Sequence, residues 1–397
     1  RGVAEGEGVA GVRPEGDRMA RPELIYAAMR ASLGMALAAR SERDRENAIA
    51  IGGMLVNQMR LSRNYASTDC GSEDHSRVAV HRDAFRQRVA ETERLLDKAV
   101  GLGLIEDGQS RRDLFDTLIM DCLTPRPAEV IRRFRELESN PRAATDYFYK
   151  LNVDSNYVRK SRTDKNISWV TATDYGDLNI TINVSKPEKD PKEIAAAKSA
   201  PSTGYPACLL CKENEGFFGN LNHPARQNLR LVPQELGGEK WYLQYSPYVY
   251  YDEHCIILSQ FQRLMKIDRR CVENLLSFIN LFPHYFAGSN ADLPIVGGSI
   301  LSHDHYQGGR YSFPMDRALV EKSYNVFPEI SMGRVRWPLS TLRLEGRPEK
   351  LVTAAEKILS AWRGWSDESV GILAESEGEP HNTITPIARR RGDESAV

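Results

Sequence analysis

The sequence predicts an α+β protein, helices first and mostly antiparallel strands after. Three observations carry this. Apolar residues recur at three- and four-residue spacing over Ala84–Leu102, Arg111–Leu123 and Ala128–Leu137. The period then changes to two in Ile167–Val170 and Leu178–Val184, as in half-buried strands. Aromatic-rich extended runs, Trp241–Tyr251 and His254–Leu258, follow, with one helical segment, Val272–Phe282, before a glycine-flanked polar stretch.

In chain order, 1–21 is Gly- and charge-rich and reads as a disordered or upstream leader, and 22–150 as a helical N-terminal region. Gly103 and Gly108 punctuate the first helix, and Thr124-Pro125-Arg126-Pro127 is a helix stop and restart. Lys186–Pro191 is a charged, proline-bounded loop, and Ile194–Lys198 opens a short helix. Residues 151–325 hold the strands and candidate chemistry. No repeat of fixed period is visible.

The chain has 397 residues, a net charge of −1 and 41% hydrophobic residues, so no general basic field favours nucleic acid or an anionic membrane. No apolar run is long enough to span a bilayer. Six cysteines, only two of them closely spaced, suit a reducing cytoplasm better than a disulfide framework.

The candidate site is Gly297–Gly309, GGSILSHDHYQGG. If extended, it turns His303, His305 and Gln307 to one face and Asp304 and Tyr306 to the other. The glycine pairs let backbone amides approach an anion, and an imidazole beside them can attack phosphorus. That pattern suggests phosphoryl or nucleotidyl transfer through a phospho-histidine-type intermediate; a metal site using both histidines is the competing reading. Cys208 and Cys211 are spaced to hold one side of a tetrahedral metal, with a redox pair or two buried thiols as alternatives. Arg159 and Arg162, three apart, can reach one phosphate, or form a solvated basic loop. Asn228 offers the donor and acceptor that uracil or ribose recognition requires, and Asn290 can orient a sugar or phosphate.

GGSILSHDHYQGG, with CLLCKENEG, QYSPYVYYDEHC, FPHYFAGSNADLPIVGG, RDLFDTLIM, LTPRPAEVI, ATDYFY and HNTITPIARRRGD, resembles the type 2 galactose-1-phosphate uridylyltransferases of the histidine-triad (HIT-like) superfamily, from about Thr92 to Asp393. The resemblance implies a HIT-like antiparallel sheet with flanking helices over 151–325 and a second, incomplete HIT-like half over 326–397. It implies exchange of UDP-glucose and galactose-1-phosphate for glucose-1-phosphate and UDP-galactose. His305 would carry the uridylyl group and Gln307 would bond a phosphate oxygen. Arg159 and Arg162 would hold the sugar-phosphate, Asn228 and Asn290 the uridine part, and Ser299 would lie beside the phosphate. Cys208, Cys211 and His303 match three ligands of a structural zinc, while Gln262 occupies the fourth place, so weak or absent zinc is expected. A cytoplasmic enzyme with no nucleic-acid or membrane partner is expected, a homodimer is left open, and relatives of this type continue beyond the position of Val397. The alternatives are another HIT-like nucleotidyltransferase or phosphorylase, or an inactive nucleotide-binding fragment.

Overall fold

The computed structural model describes residues 92–121, 124–184, 204–294, 300–392 and 394–396. The chain forms two compact units, Arg1–Asp107 and Gly108–Val397. Of the first, the described part is chiefly helix α1 (92–101), whose buried Leu95, Leu96 and Ala99 recur at helical spacing.

The second unit opens with α2 (Gln109–Asp121), α3 (Pro127–Glu136), α4 (Pro141–Asp154) and the single turn α5 (Lys160–Thr163). Proline occupies the first position of α3 and α4, where its missing N–H has no partner to lose, and the Asn140 side chain caps α4 by accepting from Ala143 N. Val130 and Phe134 of α3 and Ala144 and Phe148 of α4 are fully buried. The two phenylalanines meet edge to face at 6.0 Å.

The hairpin of β1 (Ile167–Thr173) and β2 (Gly176–Ile182) is a separate two-stranded sheet. Its alternation predicts half-buried strands, yet nearly every residue is exposed, because among the described residues no third strand pairs with it and little beyond Tyr311, which accepts from Asn179, lies against it. The expected helix over Ile194–Lys198 lies outside the described residues.

The main sheet has ten antiparallel strands: β3 (Val232–Leu236), β4 (Glu239–Tyr245), β5 (Cys255–Ser259), β6 (Phe286–Gly288), β7 (His305–Gly309), β8 (Val320–Tyr324), β9 (Ile330–Val335), β10 (Thr341–Gly346), β13 (Ile387–Arg391) and β14 (Glu394–Ala396). A small hairpin, β11 (Glu375–Ser376) with β12 (Glu379–Pro380), stands apart. Spatial order is β3-β4-β5-β7-β6-β13-β14-β10-β9-β8. Helix α6 (Arg269–Leu281) lies between β5 and β6 in sequence, and α7 (Pro348–Arg363) between β10 and β11. The order therefore contains one path twice: three strands in a meander, a helix, then two strands of which the second inserts beside the meander. The two copies meet where β6 pairs with β13, Ala287 opposite Ala388, both fully buried. A repeat of topology without a shared sequence period explains why no repeat shows in the residues.

Helix α6 turns Val272, Leu275, Leu276, Phe278 and Ile279 onto the sheet and is capped by Asp268, which accepts from Cys271 N at 3.1 Å. Helix α7 buries Leu351, Val352, Ala354, Ala355 and Leu359 and packs against α6. Beneath α6, Tyr306 of β7 stacks on Trp241 with centroids 4.9 Å apart and accepts through its hydroxyl from Asn274 Nδ2 at 3.1 Å. Tyr306 thus faces the helical layer. Strand alternation then turns His305 and Gln307 to the opposite face.

Candidate active site and metal centre

Strand β7 lies between β5 and β6, with His305 opposite Leu258 and Gln307 opposite both Ile256 and Gly288. His305 is 3% exposed, and its Nδ1 lies 2.8 Å from the carbonyl oxygen of His303. A carbonyl only accepts, so Nδ1 carries the proton and Nε2 bears the lone pair. Among the described residues, Nε2 has no hydrogen-bond partner. Burial pushes the His305 pKa below its ordinary value against the His303 carbonyl bond, so the ring is neutral near pH 7. The result is an oriented, unprotonated imidazole nitrogen.

Gln307 sits between two partners. Its carboxamide lies 3.1 Å from His254 Nε2 and 3.0 Å from Asn290 Oδ1. His254 is a site residue that sequence reasoning missed. It precedes β5 by one residue, and nothing in QYSPYVYYDEHC singled it out, because its contact with Gln307 spans 53 positions.

The expectation of one extended segment carrying His303, His305 and Gln307 holds for the last two only. Ile300 adopts φ +52°, and its carbonyl accepts from His303 N at 3.2 Å, closing a turn. His303 therefore leaves the strand before β7 begins. Its ring goes to the cysteines, with Nδ1 3.3 Å from Cys208 Sγ and 3.8 Å from Cys211 Sγ. Nε2 contacts the Ser259 carbonyl at 3.0 Å, which fixes the proton there and leaves Nδ1 free to ligate.

The second glycine pair also has another reason than anion binding. A Cβ on Gly308 would lie 2.7 Å from the Phe286 carbonyl oxygen, and one on Gly309 would lie 2.9 Å from that of Asp252. Glycine is required there by strand packing. The first pair, Gly297-Gly298, and the predicted phosphate-side residue Ser299 lie outside the described residues.

Cys208, Cys211 and His303 place their ligating atoms within 4.8 Å of one another and could hold a metal ion. The sulfurs are 3.1 Å apart and both thiols are free. Burial pushes the Cys208 thiol up, but the His303 and Cys211 hydrogen bonds outweigh it and leave it lowered; burial and Cys208 push Cys211 up to about 12. Two sulfurs and one imidazole nitrogen fit a tetrahedral thiophilic ion. Gln262 turns its amide oxygen toward the group, 3.9 Å from Cys211 Sγ, where the fourth ligand is expected.

Arg159, Arg162 and Asn228 meet at a third place, a cavity of about 170 Å³ also lined by Asp113, Thr117, Tyr157 and Tyr248. The arginines face carboxylates there. Arg162 clamps Asp113, with one bond of 2.8 Å, and Arg159 bonds Asp116, which is 1% exposed, and Thr117. Burial alone would raise Asp113, but Arg159 and Arg162 hold it below the usual carboxylate range. This salt-bridged set replaces the picture of two open guanidiniums on a loop. Asn228 is buried and donates to the Ser155 carbonyl at 2.8 Å. Among the described residues, His305 and Gln307 do not line this cavity; Tyr248 does, and its carbonyl oxygen lies 2.7 Å from His254 Nδ1. No helix among the described residues is long and apolar enough to cross a membrane.

The N-terminal domain family described as galactose-1-phosphate uridyl transferase matches residues 57–263, and its C-terminal domain counterpart matches 278–395. The chain is 62% identical over 304 residues to galactose-1-phosphate uridylyltransferase of Clostridium acetobutylicum, covering 76% of this chain and 61% of that protein. It is 55% identical to that of Butyrivibrio fibrisolvens, covering 75% and 78%. Against the Bacillus subtilis protein it is 54% identical over 72% of this chain and 57% of the relative. The chain thus spans about three-fifths of the length of the Clostridium and Bacillus relatives. Yeast Ap4A phosphorylase, a solved structure, aligns at TM-score 0.36 and 10% identity over 65% of this chain and 80% of that one. Two matched domains in their natural order, over the residues that build β7 and its partners, make this chain a member of the galactose-1-phosphate uridyl transferase family.

Proposed function

We propose that the chain transfers a uridylyl group from UDP-glucose to galactose-1-phosphate by double displacement at His305. The observation that carries this is the His303 carbonyl on His305 Nδ1, which leaves a neutral Nε2 as nucleophile. Nε2 attacks the α-phosphorus of UDP-glucose; the N–P bond forms as the P–O bond to glucose-1-phosphate breaks, the electron pair leaving on that phosphate. The ring then carries positive charge, and the Nδ1–H bond to His303 O strengthens as it does. A phosphate oxygen of galactose-1-phosphate attacks the same phosphorus, forming UDP-galactose and returning the electron pair to Nε2. Gln307 donates to a non-bridging oxygen. Because a carboxamide does not give up a proton near pH 7, it favours transfer to a second phosphate over assistance to water.

In this reading Asn290 and Asn228 serve the uridine part, and Ser299 the phosphate. Arg159 and Arg162 serve the sugar-phosphate, whose anion must exchange with Asp113 and Asp116 for the guanidinium donors. Cys208, Cys211 and His303 would hold zinc as a structural ion, weakly, since the Gln262 amide oxygen is a poorer donor than imidazole. The enzyme works in the cytoplasm.

Incubation with UDP-glucose labelled in the uridylyl part should leave one label per chain, stable to base and lost to acid, and absent from His305→Asn. Equal labelling of the two proteins, or none of the wild type, would reject the proposal. Zinc titration should show weak binding that Gln262→His tightens.

A further inference from the structure

Hydrogen-bond chemistry around Gln307 does not close in the orientation drawn by its atoms. His254 Nδ1 lies 2.7 Å from the Tyr248 carbonyl, which only accepts, so the proton is on Nδ1. His254 is 3% exposed, and Tyr250 and Tyr251 pack their rings against it with centroids at 5.4 and 4.8 Å. Burial lowers its pKa against the Tyr248 and Gln307 hydrogen bonds, so the ring is neutral near pH 7. Its Nε2 then offers a lone pair and can only accept. Yet the nearest atom of Gln307, at 3.1 Å, is Oε1, a second acceptor. A half-turn of the carboxamide exchanges its oxygen and nitrogen, and the partners decide between the two. With the NH2 group toward His254 and the oxygen toward Asn290, whose own amide makes the same half-turn, every contact joins a donor to an acceptor.

We propose that His254 is a positioning residue for Gln307: its Nε2 lone pair accepts one N–H of the carboxamide, holds the NH2 group on the His254 side of the site, and leaves the second N–H for an oxygen of the phosphate under attack. Asn290 completes the lock by donating to the Gln307 oxygen. The Tyr248 carbonyl that sets the tautomer belongs to a residue lining the cavity of Arg159, Arg162 and Asn228. Only a fixed tautomer makes the choice; an imidazole free to carry its proton on either nitrogen would tolerate both amide orientations. The role of the second N–H rests on the uridylyltransferase reading above, whereas the orientation of the amide does not.

The test uses the full chain. In ¹⁵N-histidine protein at pH 7.5, His254 should show a protonated Nδ1 and an unprotonated Nε2. The Gln307 side-chain NH2 should give one sharp, exchange-protected pair of signals, assigned through Gln307→Glu. In His254→Phe, which keeps a flat ring without nitrogens, that protection should disappear. Turnover of UDP-glucose should fall roughly 10- to 100-fold with KM changed less than about twofold, as expected for one misaligned hydrogen bond to a developing charge. His254→Gln, which restores an acceptor at similar reach, should recover most of the turnover. A protonated Nε2 in the wild type, or Gln307 signals and turnover unaltered in His254→Phe, would overturn the proposal. Should His254→Phe not fold, the wild-type nitrogen spectrum still decides. Wild type that is never uridylylated would remove the proposed function, while the nitrogen spectrum of His254 would still decide how the Gln307 amide is held.

Discussion

Strands β3 to β7 with α6, and strands β8 to β10, β13 and β14 with α7, follow one path through the sheet but bury very different surfaces. In the first half, Val232, Leu236, Trp241, Leu243, Tyr245, Cys255, Ile257 and Leu258 are all fully buried, neighbours along β5 included. In the second, Met332 and Val335 of β9 and Leu344 of β10 are buried, while Val320 of the adjoining β8 and Leu342 of β10 are more than 40% exposed. The inserted strand shows the sharpest contrast. In the first half it is β7, with His305 and Gln307; in the second it is β14, Glu394–Ala396, with no imidazole. A sheet covered on both faces can exclude water from a polar group and hold it in one tautomer, as it does at His305 and His254. Among the described residues the second half is covered less completely, so the same topology encloses an imidazole in one copy and none in the other.

The strongest way to break this comparison is through the inserted strands. His305→Asn should abolish uridylyl labelling, a loss on the order of a thousandfold or more for removal of a nucleophile. Ser395→Ala in β14 should leave labelling within about twofold. A comparable loss in both would show that the halves share the chemistry. Stability comes next. Leu243→Ala in β4 should cost about 2–5 kcal/mol by opening a cavity, whereas Leu342→Ala in β10 should stay within about 0.5 kcal/mol, both read by urea unfolding. Near-equal costs would mean that the second half is covered after all.

Gly308→Ala should cost about 1–3 kcal/mol, since its methyl would meet the Phe286 carbonyl oxygen, and it should lower labelling by displacing β7. The same change at Gly364, where the added methyl meets nothing closer than 3.9 Å, should be near neutral.

The smallest effect concerns pH. Burial lowers the pKa of His254, His284 and His305, all in the first half, and carries His284 from its ordinary 6.5 to about 4, with Arg310 adding to the shift. These rings bind protons more readily when unfolded. Their contribution to stability is therefore full above about pH 6.5 and is lost as the pH falls toward about 4. Hydrogen exchange at pH 5 should show β5 and β7 losing protection before β9 and β10, and the acid limb of labelling should lie below pH 6.5. An acid limb above that value would contradict a neutral His305.

The elements stand near their predicted places because local rules set them. Prolines at the starts of α3 and α4 and the helical spacing of apolar residues in α6 act within a few residues. His305 and Gln307 were legible for the same reason: two positions apart on a strand is one face. His303 does not share it, because the turn closed by the Ile300 carbonyl on His303 N takes it off the strand, and Ile300 is not a residue type that signals a left-handed turn. Arg159 and Arg162 were legible as cations but not as partners of Asp113 and Asp116, which lie 43 to 49 positions away. The amphipathic alternation of β1 and β2 promised a buried face that needs a neighbouring layer to exist.

What the residues alone determined is the periodicity, the caps, the His305 imidazole with the Gln307 amide on its face, and the ligand types Cys208, Cys211 and His303; each depends on neighbours within a few bonds. Only the tertiary structure decided which imidazole nitrogen is bare, that His254 stands against Gln307, and that one of two matching halves buries an imidazole in a single tautomer. Those depend on which distant carbonyls and aromatic faces the sheet brings into hydrogen-bond or ring contact, and no local pattern encodes that.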